Sequence, residues 1–238
     1  MRALSFRFAL TLLAVLAAPS SFAQDVAPDD LIKAVTFEVL ATIRQDKEIQ
    51  AGNPAKVAAL VETRILPLFD FSHMTQIAVA RSWSTATPGQ RILLSAEFKT
   101  LLVRTYSTAL TGYHTQEFEF KPLRAAPGDT SVTVKSVVKQ SGTAPVAMDY
   151  DMEKTAAGWK VYDIKIDGIS LITTYREAFA SKVRESGVDG LIKSLAEKNR
   201  AGDARFRVRN TGDFYIPVLF HGLVMNHGGT TAYISNSR

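Results

Sequence analysis

The side chains in this chain that could do chemistry are few and scattered. Its 238 residues include no cysteine, which excludes thiol catalysis and thiolate-bound metal. His73 and His114 each stand alone, and we interpret both as helix-end or surface residues. His221 and His227 lie close together but lack a fixed third ligand, so they are weak evidence for a metal site. The histidines therefore predict neither a metal ion nor a general base.

Serine and aspartate patterns give equally little support for an enzyme. Residues 168–171 resemble the serine turn of hydrolases, but they lack the second glycine and an evident base. Asp149 and Asp151 share a strand face, with Asp163 and Asp167 near the end of the sheet, and paired carboxylates can serve glycoside chemistry. On the polar face of a sheet such groups are usually solvated, and no glycine-rich phosphate loop follows a strand. We expect no enzyme and no cofactor.

The first 23 residues predict a signal peptide. Arg2 and Arg7 precede an apolar run over residues 8–18, and small residues up to Ala23 fit a cleavage site before Gln24. The run is far shorter than the roughly 20 residues that cross a bilayer, which argues against a membrane anchor. No cysteine follows the cleavage site, so a lipoprotein anchor is excluded. An exported chain of this size without cysteine is typical of a Gram-negative periplasm.

The formal net charge of +5 is concentrated at the two ends of the chain. Residues 1–23 carry two arginines, and residues 200–238 carry five arginines against two aspartates. Residues 24–199 are therefore neutral, and no basic patch indicates nucleic-acid binding. We predict a single domain over residues 24–199, followed by an atypical basic tail over residues 200–238.

Helix signals dominate the first half of this domain. Pro28 opens a helix that is expected to end near residue 50, and Asn53 caps a second helix. Asp70 or Ser72 can cap a short third helix, and Trp83 follows in a connector. The first two helices carry apolar residues on one face only, so we expect both to be half-exposed.

The longest predicted helix begins at a capping box formed by Thr87 and Gln90 and can run to Thr111. Its apolar residues fill about half of the circumference or more, which is wider than the stripe of an ordinary surface helix. Such a helix is covered on more than one side. We expect it to be sandwiched between a sheet and other helices, or to line a cavity on one flank.

From Gln116 onward the apolar spacing changes from helical to alternating, which predicts strands. About four strands are expected, joined by short turns into an antiparallel meander. In the fourth strand Trp159 and Val161 are predicted on one face, and Tyr162 and Ile164 on the other. Both faces of the sheet are thus expected to be at least partly covered.

Two helices are predicted after the sheet. Thr174 and Glu177 form a capping box for a helix that Gly187 ends, and a last helix is expected over residues 188–199. The order predicts an α+β fold with N-terminal helices, a curved antiparallel sheet and C-terminal helices. The surplus of apolar residues fits either simple core packing or an apolar cavity enclosed by these elements. The residues alone leave both interpretations open.

Two blocks of the sequence form a recognisable pattern. The motifs are FDF with Met74 at 69–74, ARSW at 80–83, ATPGQ at 86–90, LLVRTYSTAL at 101–110, GWKVYD at 158–163 and DGISLITTYR at 167–176. Together they resemble the MlaC family, the toluene-tolerance-type periplasmic auxiliary proteins of an ABC lipid transporter. The resemblance extends over residues 29–199, whereas the basic tail departs from the family pattern.

This resemblance implies a soluble periplasmic carrier that holds the tails of a phospholipid in a cavity between sheet and helices. It implies transient contact with an outer-membrane lipoprotein complex and an inner-membrane ABC transporter complex, between which lipid moves to maintain outer-membrane lipid asymmetry. The candidate lipid-binding residues are Met74, Trp83, Leu102, Tyr106, Tyr150, Trp159 and Tyr162, with Arg104 and Arg176 as candidates near a headgroup.

Two alternatives stay open. One is a carrier of another lipid, such as a hopanoid. The other is a small-molecule enzyme of the ketosteroid-isomerase kind, whose cone-shaped pocket needs a carboxylate or a histidine inside. A phospholipid exceeds the usual pocket volume of about 300–1,000 Å³, so loading is expected to move helices against the sheet.

Overall fold

The computed structural model describes residues 26–113 and 115–201. The predicted signal peptide at 1–23, His114, and the tail beyond Ala201 with its two histidines lie outside the described residues. Within the described part, helices come first, then a five-stranded antiparallel sheet, then a long C-terminal helix. The predicted α+β fold is confirmed, with one strand more than expected.

The first predicted helix is divided in two. Helix α1 (Pro28–Gln45) begins at the predicted proline, with acidic residues in the first turn where they favour the positive helix end. It ends at Asp46, whose side chain accepts hydrogen bonds from two backbone amides of α2 (Lys47–Gln50). The capping group inside the predicted helix thus starts a new helix, which the apolar spacing alone does not reveal.

Asn53 caps α3 (Pro54–Leu60), as predicted. The chain then continues through a wider π-helical turn at Val61–Ile65 and a tight 3₁₀ turn at Leu66–Leu68. Pro67 lies in this last turn and cannot supply the amide that a longer α-helix needs. The second predicted helix therefore ends in irregular turns.

Three helices follow. Asp70 caps α4 (Phe71–Val79) by accepting a hydrogen bond from a backbone amide of that helix. The short α5 (Ser82–Thr85) contains the connector, and the capping box of Thr87 opens α6 (Pro88–Tyr106), as predicted. After Tyr106 the helix tightens into a 3₁₀ segment, Ser107–Gly112, so regular helix ends earlier than expected. This segment is rich in serine and threonine, which favour helices less than the leucines before them.

Ala80, which joins α4 to α5, has a strained backbone conformation. Its φ is 49° and its ψ is −119°, a region that only glycine adopts at little cost. The conformation is fixed on both sides, because the amide of Ala80 bonds the carbonyl of Gln76 and its carbonyl accepts from the amide of Trp83.

Ala80→Gly is expected to raise the free energy of unfolding by about 1 kcal/mol, because glycine relieves the strain at the cost of some backbone entropy. Ala96→Gly, at an exposed position within α6, is the matched control and is expected to lower the free energy of unfolding by about 1 kcal/mol. Urea denaturation of both variants measures the difference. Equal losses of stability in the two variants would contradict the assignment of strain.

The sheet is a meander whose strands pair in chain order. The strands are β1 (Glu117–Phe120), β2 (Ser131–Lys139), β3 (Val146–Thr155), β4 (Gly158–Ile166) and β5 (Ile169–Ser170). The short β5 was not predicted. It forms because Asp167 and Gly168 both have positive φ, which gives a tight turn between β4 and β5.

A β-bulge in β4 corrects the predicted faces of that strand. Asp151 pairs with Asp163, but the next residue of β3, Met152, pairs with Val161, so Tyr162 is the extra residue. A bulge reverses the alternation of side chains beyond it. Val161 and Ile164 therefore face the same side of the sheet, and the prediction that they lie on opposite faces is wrong.

The C-terminal part of the domain is one long helix with a kink. Helix α7 (Arg176–Ala201) departs from helical geometry at Ser186 and Gly187, as expected from the glycine that separates the two predicted helices. The predicted capping box is wrong. The segment Thr173–Tyr175 is a 3₁₀ turn, and the hydroxyl of Thr174 donates to a preceding carbonyl, that of Leu171, instead of capping α7.

The described residues form two hydrophobic cores. The first core joins α1, α2, α3 and the π-helical turn to the inner face of the sheet. The second core joins α4, α6 and α7. The two cores are linked where the chain between α3 and α4 meets the sheet: Phe69 forms a parallel bridge with Val161, and the amide of Asp70 donates to the carbonyl of Val161.

Candidate functional site

An apolar cavity of about 240 Å³ lies between the two cores. Its wall is built from α1, the turns after α3, the start of α4, the end of α6 with the following 3₁₀ segment, and one face of the sheet. Among residues 26–113 and 115–201, no lining side chain is charged. The lining side chains with polar atoms are Thr36, Ser107 and tyrosines, apart from the sulfur of methionine. The site can therefore exclude water and hold an apolar ligand.

Helical spacing explains which side of α1 lines the cavity. Ile32, Val35, Val39 and Ile43 recur every three or four residues, which places them on one face of the helix, and all four line the cavity. The sequence already showed this spacing. The spacing predicts only the buried side of a half-exposed helix. Helix α1 therefore forms a wall of the site, although none of the nine candidate lipid-binding residues lies in it.

Helix α6 serves both cores, which explains its wide apolar surface. Leu94, Phe98 and Leu101 are buried in the second core, against α4 and α7. On another flank Leu102 and Val103 line the cavity. Of the two expectations for this helix, the one that it lines a cavity on one flank is met. Its other flank packs against α4 and α7, so it is not sandwiched between these helices and the sheet.

The sheet contributes its inner face to the cavity. Met148 and Tyr150 in β3, and Val161 and Ile164 in β4, all line it. Residues two apart in β3 share a face, whereas Val161 and Ile164 are three apart and share a face only because of the bulge. The bulge therefore adds an aliphatic side chain to this wall.

The tyrosine hydroxyls around the cavity stay uncharged near neutral pH. Burial raises the pKa of Tyr150 to about 12 and also raises the pKa of Tyr113 and Tyr106. The hydroxyl of Tyr150 lies 3.0 Å from the sulfur of Met148, and the hydroxyls of Tyr106 and Tyr175 lie 3.3 Å apart. The lining tyrosines therefore add no charge to the wall.

Four of the nine candidate lipid-binding residues line the cavity. They are Met74, Leu102, Tyr106 and Tyr150. They come from α4, α6 and β3, which are distant in the sequence and which the fold brings together around one space. Their contact with lipid stays a prediction.

The other three aromatic candidates lie outside the cavity lining. The guanidinium of Arg91 lies over the ring of Trp83 at 5.3 Å. Trp159 packs half-buried against the first core. Tyr162, the extra residue of the bulge, stacks on the ring of His73 at 4.4 Å. In these positions the three rings pack against the cores and not along the cavity.

The two arginine candidates each donate a hydrogen bond from one helix to another. Arg104 donates to the backbone carbonyl of Asn199 and so joins α6 to the end of α7. Arg176 donates to the carbonyl of Ile77 at 3.2 Å, which joins α7 to α4. Neither residue is part of the cavity lining, so nothing in the geometry places them at a headgroup.

Two of the four aspartates considered for catalysis, Asp151 and Asp163, make structural contacts. Asp151 accepts hydrogen bonds from Thr133 at 2.7 Å and from Lys165 at 2.6 Å. Asp163 accepts from the amide of Ile172, and burial raises the pKa of its carboxyl, with nearby Asp151 adding to the effect. Neither aspartate lines the cavity.

Within residues 26–113 and 115–201, no three histidine, aspartate or glutamate side chains are grouped so as to hold a metal ion. No helix there combines the length and the apolarity needed to cross a membrane.

The fold and the cavity define a class of α+β proteins with an enclosed apolar site. A solved structure of the phospholipid-binding protein from Ralstonia solanacearum, in complex with a phospholipid, is 44% identical to this chain. It aligns with a TM-score of 0.67, over 73% of this chain and 97% of the other.

Sequence comparisons identify the family of the chain. The model of the MlaC protein family matches residues 33–197. The toluene tolerance protein ttg2D of Pseudomonas putida is 26% identical over 74% of this chain and 85% of its own length. The intermembrane phospholipid transport system binding protein MlaC of Haemophilus influenzae is 19% identical over 73% and 82%. The chain belongs to the MlaC family.

Proposed function

We propose that this protein is a periplasmic phospholipid carrier that holds acyl chains in the cavity between its two cores. The observation that carries the proposal is the cavity itself, which lies among α1, α6 and the sheet and which no charged side chain of the described residues lines. The Ralstonia solanacearum relative, described with a bound phospholipid, supports the choice of ligand.

Acyl chains gain strongly from such a site. Moving one methylene group out of water contributes about 0.8 kcal/mol, so about ten methylenes contribute about 8 kcal/mol before the cost of association. Met74, Leu102, Tyr106 and Tyr150 are proposed to contact these chains, together with the lining residues of α1. The polar headgroup stays at the opening, where water solvates it.

Loading is expected to widen the cavity. Its volume of about 240 Å³ lies below the usual range of about 300–1,000 Å³ for drug-sized ligands, and a phospholipid with two chains is larger still. The space lies between two separately packed cores, so it can widen by moving one core against the other without breaking either. The predicted movement of helices against the sheet is proposed to occur in this way.

The proposed role is transport of phospholipid between an outer-membrane lipoprotein complex and an inner-membrane ABC transporter complex, which maintains outer-membrane lipid asymmetry. The name of the Haemophilus influenzae relative, a binding protein of an intermembrane phospholipid transport system, supports this role. The predicted signal peptide supports export. Among the described residues no carboxylate or histidine lines the cavity, so we propose a carrier and not an isomerase-like enzyme.

Lipid analysis of the intact protein tests this function. The protein, purified from the periplasm without detergent, is expected to yield a stoichiometric amount of phospholipid on solvent extraction and mass spectrometry. Delipidated protein is expected to regain phospholipid from vesicles. A hopanoid in place of phospholipid would favour the alternative carrier, and the absence of any lipid in both experiments would contradict the proposal.

A further inference from the structure

Lys99 does not line the cavity itself, but it lies beside residues that do. It is on α6, one helical turn before Leu102 and Val103, which both line the cavity, so its side chain points to nearly the same side of the helix. Its ammonium group lies 5.5 Å from the centre of the Phe71 ring, and Phe71 is itself a lining residue at the start of α4. Lys99 therefore places a positive charge beside lining residues of α4 and α6.

The charge of Lys99 is not neutralised by an acid. Among the described residues, no carboxylate forms an ion pair with its ammonium group, whereas Lys33, Lys56, Lys139 and Lys165 are each paired with an aspartate or a glutamate. The side chain is half-buried, so its aliphatic part covers apolar surface while the ammonium stays hydrated. The face of the Phe71 ring holds it in place.

We propose that Lys99 binds the phosphate of the lipid whose chains fill the cavity. The proposal rests on the proposed function. Chains that fill the cavity lie against Phe71 and Leu102, so a phosphate attached to them on this side meets the cation over the Phe71 ring. An ammonium group is a compact donor to phosphate oxygens, and here it has no competing carboxylate among the described residues. Lys99 then recognises the anionic phosphate, while the apolar wall recognises the chains.

The test compares two lipids with identical chains. Phosphatidylglycerol carries the phosphate and diacylglycerol does not. Lys99→Met keeps the length and apolar character of the side chain and removes the charge. It is expected to weaken binding of phosphatidylglycerol about fivefold, which is typical of an exposed ion pair, and to leave binding of diacylglycerol unchanged.

Two control variants make the result specific. Lys193→Met removes one charge from α7, whose residues do not line the cavity, and is expected to change neither affinity. Lys99→Arg keeps the charge and is expected to bind phosphatidylglycerol nearly as well as the wild type. High salt is expected to reduce the difference between wild type and Lys99→Met, because ions screen an exposed charge pair.

The outcomes separate this inference from the proposed function. If the wild type binds phosphatidylglycerol and Lys99→Met binds it equally well, the role of Lys99 is refuted and the carrier function stands. If the wild type binds neither lipid, both proposals fail. Excess inorganic phosphate is expected to compete no better than chloride of equal ionic strength; specific competition would reveal a general anion site and overturn the assignment to the lipid phosphate.

Discussion

Val103→Trp is expected to abolish phospholipid loading while the protein stays folded. Val103 lines the cavity from α6 and is only partly buried, so an indole ring can extend into the open space. There it occupies volume that acyl methylenes need. Displacing about four methylenes forfeits about 3 kcal/mol, which weakens binding by a hundredfold or more. Phospholipid retained after purification, measured by mass spectrometry, gives the result.

Thr100→Trp is the matched control for this variant. Thr100 lies one turn earlier on α6 and is exposed, so the same ring is added outside the cavity. This variant is expected to retain its phospholipid, and circular dichroism is expected to show both variants folded. Retention of phospholipid by folded Val103→Trp would mean that the chains do not occupy this cavity.

Phe98→Ala is expected to cause the largest loss of stability, about 3–5 kcal/mol. Phe98 is 0% exposed in the second core, and its ring meets those of Tyr175 and Phe179 edge-on at 5.1 and 5.2 Å. Truncation leaves a void among α4, α6 and α7 that these helices cannot fill. The total stability of a domain is about 5–15 kcal/mol, so urea denaturation will show a large shift or a partly unfolded protein.

Phe118→Ala tests whether a side chain in the cavity wall contributes less to stability than one in a hydrophobic core. Phe118 lines the cavity and is half-buried, so its ring already borders open volume and has fewer contacts to lose. We expect the free energy of unfolding of the lipid-free protein to fall by about 1 kcal/mol, and lipid binding to become weaker. A loss as large as that of Phe98→Ala would show that the cavity is packed as tightly as the core.

Local signals in the sequence were enough to predict most of the elements. Asn53 and Thr87 cap the helices they were expected to cap, and Gly187 interrupts α7 at the expected place. These signals depend on hydrogen bonds and backbone angles within a few residues. The alternation of apolar residues was likewise enough for β1 to β4, because it reports which face of a strand is buried.

The features that were missed depend on contacts between distant segments. The bulge at Tyr162 is set by the pairing of β3 with β4, and a single strand does not show where an extra residue is inserted. Arg104 was considered for a headgroup because its charge was visible in the sequence, but its partner carbonyl on α7 was not. Trp83 and Val39 are equally apolar in the sequence, and only the fold shows that Val39 lines the cavity and Trp83 does not.

In the part of the chain that the structure describes, no charged side chain lines the cavity, which limits how selectively the proposed carrier can bind. A wall of aliphatic and aromatic side chains distinguishes ligands by about 1–3 kcal/mol in binding free energy for each methylene that does not fit. It has few hydrogen-bonding groups that could recognise a chemical difference between chains. Chains that fit the cavity equally well are then expected to be accepted with similar affinity, whereas chains that do not fit are disfavoured. For the proposed carrier, the mixture of fitting species is then expected to follow the composition of the membrane that donates them, and sorting among these species is expected to occur where lipid is handed over.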